Sequence, residues 1–272
     1  TEESAASLAG VDAGVHAKVE TINGTLTVDR AVTANTGDVL LAANDAAPAQ
    51  DDRSDVELNA AVTAGRHVTV LAERDVRQDA NITAGTADAT NPNDPKGSID
   101  VEAVTGSIRM DAALATSQTS GGNIRYKANQ DVKLGVLDAG AGQVAVNAGR
   151  DILDAQGDTV GHDEKGFATQ TGAARVENIR AAAARLEAGR NIGQGQDQSV
   201  SNPLDTAVGT LAANAGGSVY VYETDELKID TVEKVPAKRV HLDSTTRTEE
   251  SAASLAGVDA GVHAKVETIN GT

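Results

Sequence analysis

Residues 121–153 read GGNIRYKANQDVKLGVLDAGAGQVAVNAGRDIL and contain the same short unit twice. Gly122 is followed by Asp131 at a distance of nine positions, and Gly142 is followed by Asp151 at the same distance. Within each unit apolar and polar residues alternate, which is the period of a β-strand. The offset between the units is about 20 residues, the length of one turn of a solenoid. The repeat therefore predicts two stacked coils of a parallel β-solenoid.

Similar strand-like runs follow glycine or a turn residue along most of the chain. The gaps between them are too short and too rich in glycine for the helices of a βαβ unit. Residues 177–188 (ENIRAAAARLEA) have helical propensity, but ARLEAGRNI aligns with VAVNAGRDI of the preceding unit, which favours a strand. The sequence therefore predicts an all-β chain folded as a parallel β-helix, with coils of about 20–25 residues.

Three segments interrupt this rhythm. They are residues 45–55, 86–97 and 154–172, and all are rich in Asp, Gly, Pro or Asn. Such composition is typical of surface loops. We expect these segments to be insertions at the corners of coils, because each coil of a solenoid needs contact only with its neighbours.

A second repeat has a much longer period. Residues 1–25 (TEESAASLAGVDAGVHAKVETINGT) recur without a change as residues 248–272, an offset of 247. We interpret residues 1–247 as one unit of a tandem array, folded as a single continuous β-solenoid, and residues 248–272 as the start of the next identical unit. An engineered duplication is the alternative. Coils of about 20–25 residues predict about 10–12 coils and a rise of about 50–60 Å per unit.

Composition excludes several classes of function. The chain carries 40 acidic and 23 basic residues, a formal net charge of -17, which argues against a nucleic-acid partner. Cysteine is absent, so disulfides, thiolate ligands and a cysteine nucleophile are excluded.

No apolar run approaches the length that a membrane span needs, and we expect no membrane insertion. The sequence does not begin with Met and shows no signal peptide, so we expect it to be part of a longer chain.

Three stretches resemble the repeats of filamentous-haemagglutinin-like exoproteins: GRDILDAQGD (149–158), LEAGRNIGQ (186–194) and NPLDTAVGTLAANAGGSVYVYETDELKI (202–229). These are very large bacterial surface proteins, many of them exported by two-partner secretion. The resemblance covers roughly residues 20–245. It implies a right-handed parallel β-helix, an extracellular location and a role as stalk or adhesin. The secretion domain of that family, with its Asn-rich pattern, is not visible in this sequence.

Two aspartates are the candidates for catalysis, since parallel β-helices also host polysaccharide lyases and hydrolases. Asp131 and Asp151 occupy matching positions in successive units, and Arg150 precedes one of them. A carboxylate cluster with a neighbouring arginine is the arrangement that acid–base cleavage of a sugar chain requires. Aspartates at coil corners that accept backbone hydrogen bonds are the favoured interpretation. We predict no catalytic residue and no enzyme activity.

Metal and cofactor sites are not predicted either. Asp51, Asp52 and Asp55 fall in one acidic segment, and His162 lies between glycines in GHDEKG, residues 161–166. A calcium loop of the EF-hand type needs a regular spacing of carboxylates, and a zinc site needs three or more converging ligands. Neither segment meets these requirements.

One pair of aromatic residues is a candidate surface contact. Tyr220 and Tyr222 alternate with Val219 and Val221, so both tyrosines are expected to face outward. An exposed tyrosine pair suits stacking on a sugar or on a neighbouring rod. A pair that only favours strand formation is the alternative.

The sequence predicts a structural segment of a giant extracellular adhesin or filament, a rod on the bacterial surface that serves reach, attachment or cell–cell contact. The expected partners are neighbouring identical repeats joined end to end, lateral copies of the rod, and a glycan or cell-surface ligand. The alternatives are the shaft of a contact-dependent toxin exoprotein and, less favoured, a β-helical polysaccharide-active enzyme.

Overall fold

The polypeptide is wound into a stack of coils made only of β-strands and turns. Within the described ranges the chain forms thirty strands and no helix. The computed structural model describes residues 9–46, 53–85, 96–156, 159–162, 168–171, 175–195, 202–251 and 253–269.

Each coil contributes one strand to each of three parallel ladders, which we name A, B and C in chain order. Ladder A begins with β1 (Val11–Ala13), β4 (Val32–Ala34), β7 (Val62–Ala64), β10 (Ile82–Ala84), β13 (Thr116–Thr119) and β16 (Val136–Asp138). Ladder B begins with β2 (Ala17–Thr21), β5 (Val39–Ala43), β8 (His67–Ala72), β11 (Ser98–Ala103), β14 (Ile124–Ala128) and β17 (Gln143–Ala148). Ladder C consists of β3 (Leu26–Val28), β6 (Val56–Leu58), β9 (Val76–Gln78), β12 (Ile108–Met110), β15 (Val132–Leu134) and β18 (Ile152–Asp154), and is continued by the bridge residue Ile192.

In the later coils some strands are longer and turn the corner from ladder A to ladder B. These are β21 (Ile179–Ala188) and β22 (Leu204–Ala215). Next to β22 on ladder B lie β24 (Lys228–Ile229) and β29 (Val258–Ala260). β23 (Val219–Glu223) begins on ladder C at Val219 and then pairs with the start of β22 on ladder A. Along its whole length β23 pairs with β30 (Ala264–Thr268). Among the described residues, three antiparallel pairs leave the coils: β19 (Thr159–His162) with β20 (Ala168–Thr171), β25 (Thr231–Val232) with β28 (Leu255–Ala256), and β26 (Pro236–Val240) with β27 (Thr246–Glu250).

The coil repeat read from the sequence is present. Ile124 pairs with Val144 in parallel register, which is the offset between Gly122 and Gly142 in the sequence repeat. Val144 pairs next with Ala184, at twice that offset, because the pair β19–β20 is inserted between these coils. This insertion lies within the predicted loop 154–172, whereas much of the other two predicted loops falls outside the described residues. A parallel β-solenoid with insertions is therefore confirmed.

The number of coils per long unit is smaller than expected. From β1 on ladder A to β29, which has the same sequence but lies on ladder B, the chain completes eight turns and one third of another. At ~4.8 Å per coil this gives a rise of about 40 Å. The expected coil number and the expected rise were both too large, because the insertions lengthen several coils.

The stretch with helical propensity forms a strand, as predicted. Residues 179–188 make up β21, which pairs with β17 on one side and β22 on the other. Its backbone groups are thus satisfied by neighbouring coils, and this tertiary pairing outweighs the preference of four consecutive alanines for a helix.

The core is a thin column of inward-facing Val, Ile, Leu and Ala side chains stacked coil on coil. One buried polar group joins the three ladders inside it. The Tyr126 hydroxyl from ladder B donates to Gln78 Oε1 on ladder C at 2.7 Å and lies 2.6 Å from Ser117 Oγ on ladder A. Burial raises the pKa of Tyr126, although the hydrogen bond to Ser117 opposes the rise, and the phenol stays protonated.

We expect Tyr126→Phe to lower the free energy of unfolding by about 1–3 kcal/mol, because the buried Gln78 oxygen loses its best donor. Urea unfolding followed by circular dichroism measures this change. Tyr220→Phe is the control, since Tyr220 is partly exposed, and it should change stability by less than about 0.5 kcal/mol. Equal effects of the two substitutions would contradict the buried network.

Candidate functional site

The two candidate catalytic aspartates are corner residues. Asp131 Oδ1 accepts a hydrogen bond from the backbone N–H of Asp151 at 3.2 Å, and Asp151 Oδ1 accepts one from that of Asn191 at 3.0 Å. Asn191 continues the row by accepting from the backbone N–H of Ser218 at 2.9 Å. Each side chain thus fixes the corner of the next coil, as the turn interpretation expects.

Arginines also lie against the carboxylates of this row. Arg150 Nε lies 3.6 Å from Asp131 Oδ1, and the Arg190 guanidinium pairs with Asp151. In both pairs the arginine belongs to the coil that follows the aspartate. Both carboxylates therefore lie against backbone N–H groups and arginines of the coil that follows, which is the arrangement expected of corner residues.

The acidic and histidine-containing segments contribute little to a site. Asp55 pairs with Arg74 and accepts from the backbone N–H of Asp75 at 3.0 Å. Asp51, Asp52 and the residues that follow His162 lie outside the described ranges. Among the described residues, no group of three or more His, Cys, Asp or Glu side chains could hold a metal ion.

The two tyrosines of the predicted pair differ in how far they are exposed. Val219 and Val221 face the core, so both tyrosines point away from it. Tyr222 as a whole residue is only 6% exposed, and the Arg175 guanidinium lies 3.7 Å from the centroid of its ring. Tyr220 is the more exposed of the two rings. A contact with a sugar or a second rod remains a prediction, and Tyr220 is the residue able to make it.

The most elaborate surface is one that the sequence did not reveal. Residues 231–256, which we name the strap, leave ladder B between β24 and β29 and form the antiparallel pairs β25–β28 and β26–β27. The strap does not project into solvent. It runs across the coils on the outer side of ladder B and covers the strands from β22 back to β2.

Hydrogen bonds attach the strap to successive coils. The Pro236 carbonyl oxygen accepts from Asn123 Nδ2 at 2.8 Å, and the backbone N–H of Lys238 donates to Ser98 Oγ at 2.9 Å. The backbone N–H of Val240 donates to Thr69 Oγ1, also at 2.9 Å. Outward-facing side chains of ladder B thus satisfy the backbone of β26.

The tip of the strap reaches the first coil. Lys18 Nζ on β2 donates to the carbonyl oxygen of His241 at 2.8 Å and to Ser244 Oγ at 2.7 Å. About 12 extended residues separate the last coil from this tip, a reach of roughly 40 Å at ~3.3 Å per residue. Eight coil steps of ~4.8 Å give nearly the same length, so one arm of the strap spans the whole stack.

Apolar contacts lie at both ends of the strap. Near the tip, Val240 packs with Leu40 and Ala42 on β5, with Leu71 against them. Near the root, Val232 and Val235 pack with outward-facing alanines of ladder B. The sequence carried a sign of this cover. The run VLLAA at 39–43 is apolar at outward as well as inward positions, which is typical of a strand buried on both faces.

A charge cluster holds the middle of the strap. Arg239 Nε donates to Asp100 Oδ2 at 2.7 Å, and its second nitrogen bonds Glu102. Arg125 from the next coil pairs with the same two carboxylates, and Lys127 Nζ donates to Glu102 Oε1 at 2.9 Å. Asp100 is fully buried and Glu102 nearly so. Burial tends to raise the pKa of Glu102, but the hydrogen bonds from Arg239 and Lys127 and the nearby positive charges lower it to about 2.

A cavity of about 220 Å³ lies beside this cluster, between ladder B and the second half of the strap. Arg125, Lys127 and Arg185 contribute positive charge to its wall, and Glu187 and Glu250 contribute negative charge. Arg185 pairs with Glu187 and donates to a carbonyl oxygen of the strap at 2.8 Å. Arg125 and Lys127 pair with Glu102, and Glu250 pairs with Lys234, so each charged group of the wall already has a partner. The cavity therefore suits water or a small polar molecule rather than a sugar chain.

No protein-family model, curated protein or solved structure matches this chain. In the described part of the chain there is no helix with the length and hydrophobicity that a membrane span requires. The geometry of the solenoid and its strap is therefore the basis for a functional conclusion.

We expect Arg239→Ala to loosen the strap and to lower the free energy of unfolding by about 3–5 kcal/mol, because two buried carboxylates lose a partner. The matched control is Arg247→Ala, since Arg247 faces Arg239 across the hairpin but is exposed. This control should cost less than about 0.5 kcal/mol. Urea unfolding and hydrogen exchange of β26 measure both effects, and equal losses would show that Arg239 does not anchor the strap.

Strap attachment should also depend on acid. The pKa of Glu102 is lower in the folded chain than its ordinary value of 4.5, so its contribution is complete above about pH 4.5 and lost as pH falls towards 2. The lost contribution is on the order of 3 kcal/mol. We expect the stability difference between the native chain and Glu102→Gln to shrink over that window. A difference that stays constant between pH 6 and pH 2 would refute the assignment.

Proposed function

We propose that this chain is a structural repeat segment of a giant extracellular adhesin or filament, which forms a long rod on a bacterial surface. The observation that carries this proposal is the second copy of the repeated segment, residues 248–272. Its strands β29 and β30 do not fold apart from the solenoid but add to it in parallel register. A sequence that continues periodically can therefore continue as one stack.

Pairing at this junction is of the same kind as pairing within the unit. Val258 lies beside Ala213, and Val266 lies beside Val221, both with their side chains towards the core. A solenoid grows by nearest-neighbour stacking, so its stability adds coil by coil and sets no upper limit to its length. Length is the property that a stalk requires.

The strap supports the proposed mechanical role. Coils of a solenoid normally contact only the coils above and below, so a rod resists bending through local contacts alone. The strap bonds to residues as far apart in the stack as Lys18 on β2 and Arg185 on β21. Bending away from ladder B requires these distant contacts to separate together, which stiffens the unit along its axis.

Surface chemistry suits an extended rod. The net charge of -17 makes like rods repel at low ionic strength, which favours separate soluble fibres over compact aggregates. Tyr220 and the corner insertions are the parts of the surface we propose for contact with a glycan or a cell-surface ligand. The bacterial and extracellular parts of the proposal rest on the resemblance to filamentous-haemagglutinin-like repeats.

Electron microscopy of polypeptides with two, three and four tandem copies of residues 1–247 tests the rod. We expect unbranched rods of constant width that lengthen by about 40 Å per added copy. Compact particles, or copies that separate like beads, would contradict the proposal.

Val11→Asp in an internal copy places a charge in the junction core and should break the rod there. Asp12→Asn, an outward-facing change at the next residue, should leave it intact.

A further inference from the structure

The two copies of the repeated segment lie on different faces of the solenoid. In the first copy β1 belongs to ladder A and β2 to ladder B. In the second copy the same sequences form β29 and β30, which extend ladders B and C. Identical residues are therefore displaced by one face from one copy to the next, in agreement with the eight and one third turns between them.

The two copies also show the opposite edges of one coil. β1 and β2 are hydrogen-bonded to β4 and β5, the coil that follows. Their counterparts β29 and β30 are bonded to β22 and β23, the coil that precedes. A coil with both sets of bonds has its backbone groups satisfied on both sides, which is the condition for an internal coil of a stack.

Glycines in the segment fit this double contact. A Cβ atom on Gly261 would lie 2.2 Å from the carbonyl oxygen of Gly216 in the preceding coil, whereas at its counterpart Gly14 no atom of the described residues lies within 4 Å. A second glycine of the repeated segment, Gly10 in the first copy and Gly257 in the second, shows the opposite pattern. A Cβ atom on Gly10 would lie 2.3 Å from the carbonyl oxygen of Ala31 in the following coil, whereas at Gly257 the described part of the chain places no atom within 4 Å. Each copy makes one of these two close backbone contacts, and a repeated segment inside an array makes both.

We propose that successive repeats join with a displacement of one face, so that the straps wind around the rod instead of lying in a line. This inference rests on the proposed tandem array. Ladder A of each repeat continues ladder B of the repeat before it, and ladder B continues ladder C. The interacting partner is a second copy of the unit, seated on the open edges of β29 and β30.

The displacement is tolerated because the three faces use equivalent inward residues. In the first copy Ala17 and Val19 pair with Val39 and Leu41 on ladder B. In the second copy the corresponding Ala264 pairs with Val219 on ladder C, and Val266 pairs with Val221, where β23 turns from ladder C towards ladder A. Small apolar side chains at alternate positions fill either column, so the same strand packs on either face.

The displacement determines which ladders are exposed on each side of the rod. Each strap covers ladder B of its own repeat, so the covered face advances by one third of a turn per repeat. Three repeats contain 25 coils and return to the starting face after about 120 Å. No uncovered face runs the length of the rod. A ligand-binding surface on one ladder is offered to every side, and lateral packing through one flat face is interrupted at each repeat.

Labelling of the strap tip tests the winding directly. The chain has no cysteine, and the Leu242 side chain is 55% exposed at the tip, so Leu242→Cys in every copy gives one reactive thiol per strap. A four-copy polypeptide is labelled with a maleimide gold cluster and imaged by cryo-electron tomography. We expect labels about 40 Å apart along the axis, each rotated by one third of a turn from the last. Rods whose labels all lie on one side would overturn the inference and leave the proposed rod standing, whereas the absence of rods would overturn the proposed function.

A matched glycine pair tests the junction without an array. Gly14→Ala and Gly261→Ala are the same substitution in the same local sequence, made in the chain described above. We expect Gly261→Ala to expose the backbone of β30 to hydrogen exchange at least tenfold faster, because its Cβ collides with Gly216. Gly14→Ala should leave the exchange of β2 unchanged. Equal behaviour of the two variants would show that the second copy does not rest on ladders B and C, and the inference would fail whether or not rods form.

Discussion

Parallel backbone pairing between coils is the constraint on which the rest of this protein depends. Most strands of the solenoid are short, and their N–H and C=O groups find partners in the coils above and below. This pairing forces residues at the same corner into columns. Those columns are filled by small apolar side chains inside, and at the corners by side chains such as Asp131 and Asp151 that accept from the next backbone.

The strap is an exception to nearest-neighbour order. It brings Arg239 to carboxylates far away in the sequence and lays an antiparallel hairpin across parallel strands. A buried ion cluster contributes less to stability than apolar packing of equal volume, since both charges must lose their water. The role of the ion cluster here is to position the strap. The pairing of Arg239 with Asp100 and Glu102 fixes where along the stack the strap is seated.

The same constraint links structure to the proposed role. A stack whose every coil offers the pairing edge that the next coil needs can be extended by repetition alone, and here the repetition is written in the sequence. Because the unit contains a fractional number of turns, repetition also implies rotation. In the proposed rod, reach, stiffness and an even display around the axis all follow from this one folding rule.

The sequence by itself determined the solenoid. The short repeat at Gly122 and Gly142 predicted the coils and their register, because inward and outward positions alternate along each strand. It also predicted the corner role of Asp131 and Asp151, and the outward direction of Tyr220 and Tyr222. Only the tertiary structure decided the number of coils per unit, the cover over Tyr222, and the strap. Insertions alter coil length without altering the pattern, and the strap contacts join residues far apart in sequence. The alternation of apolar and polar residues shows whether a side chain points inward or outward. It does not show which other part of the chain packs against that side chain.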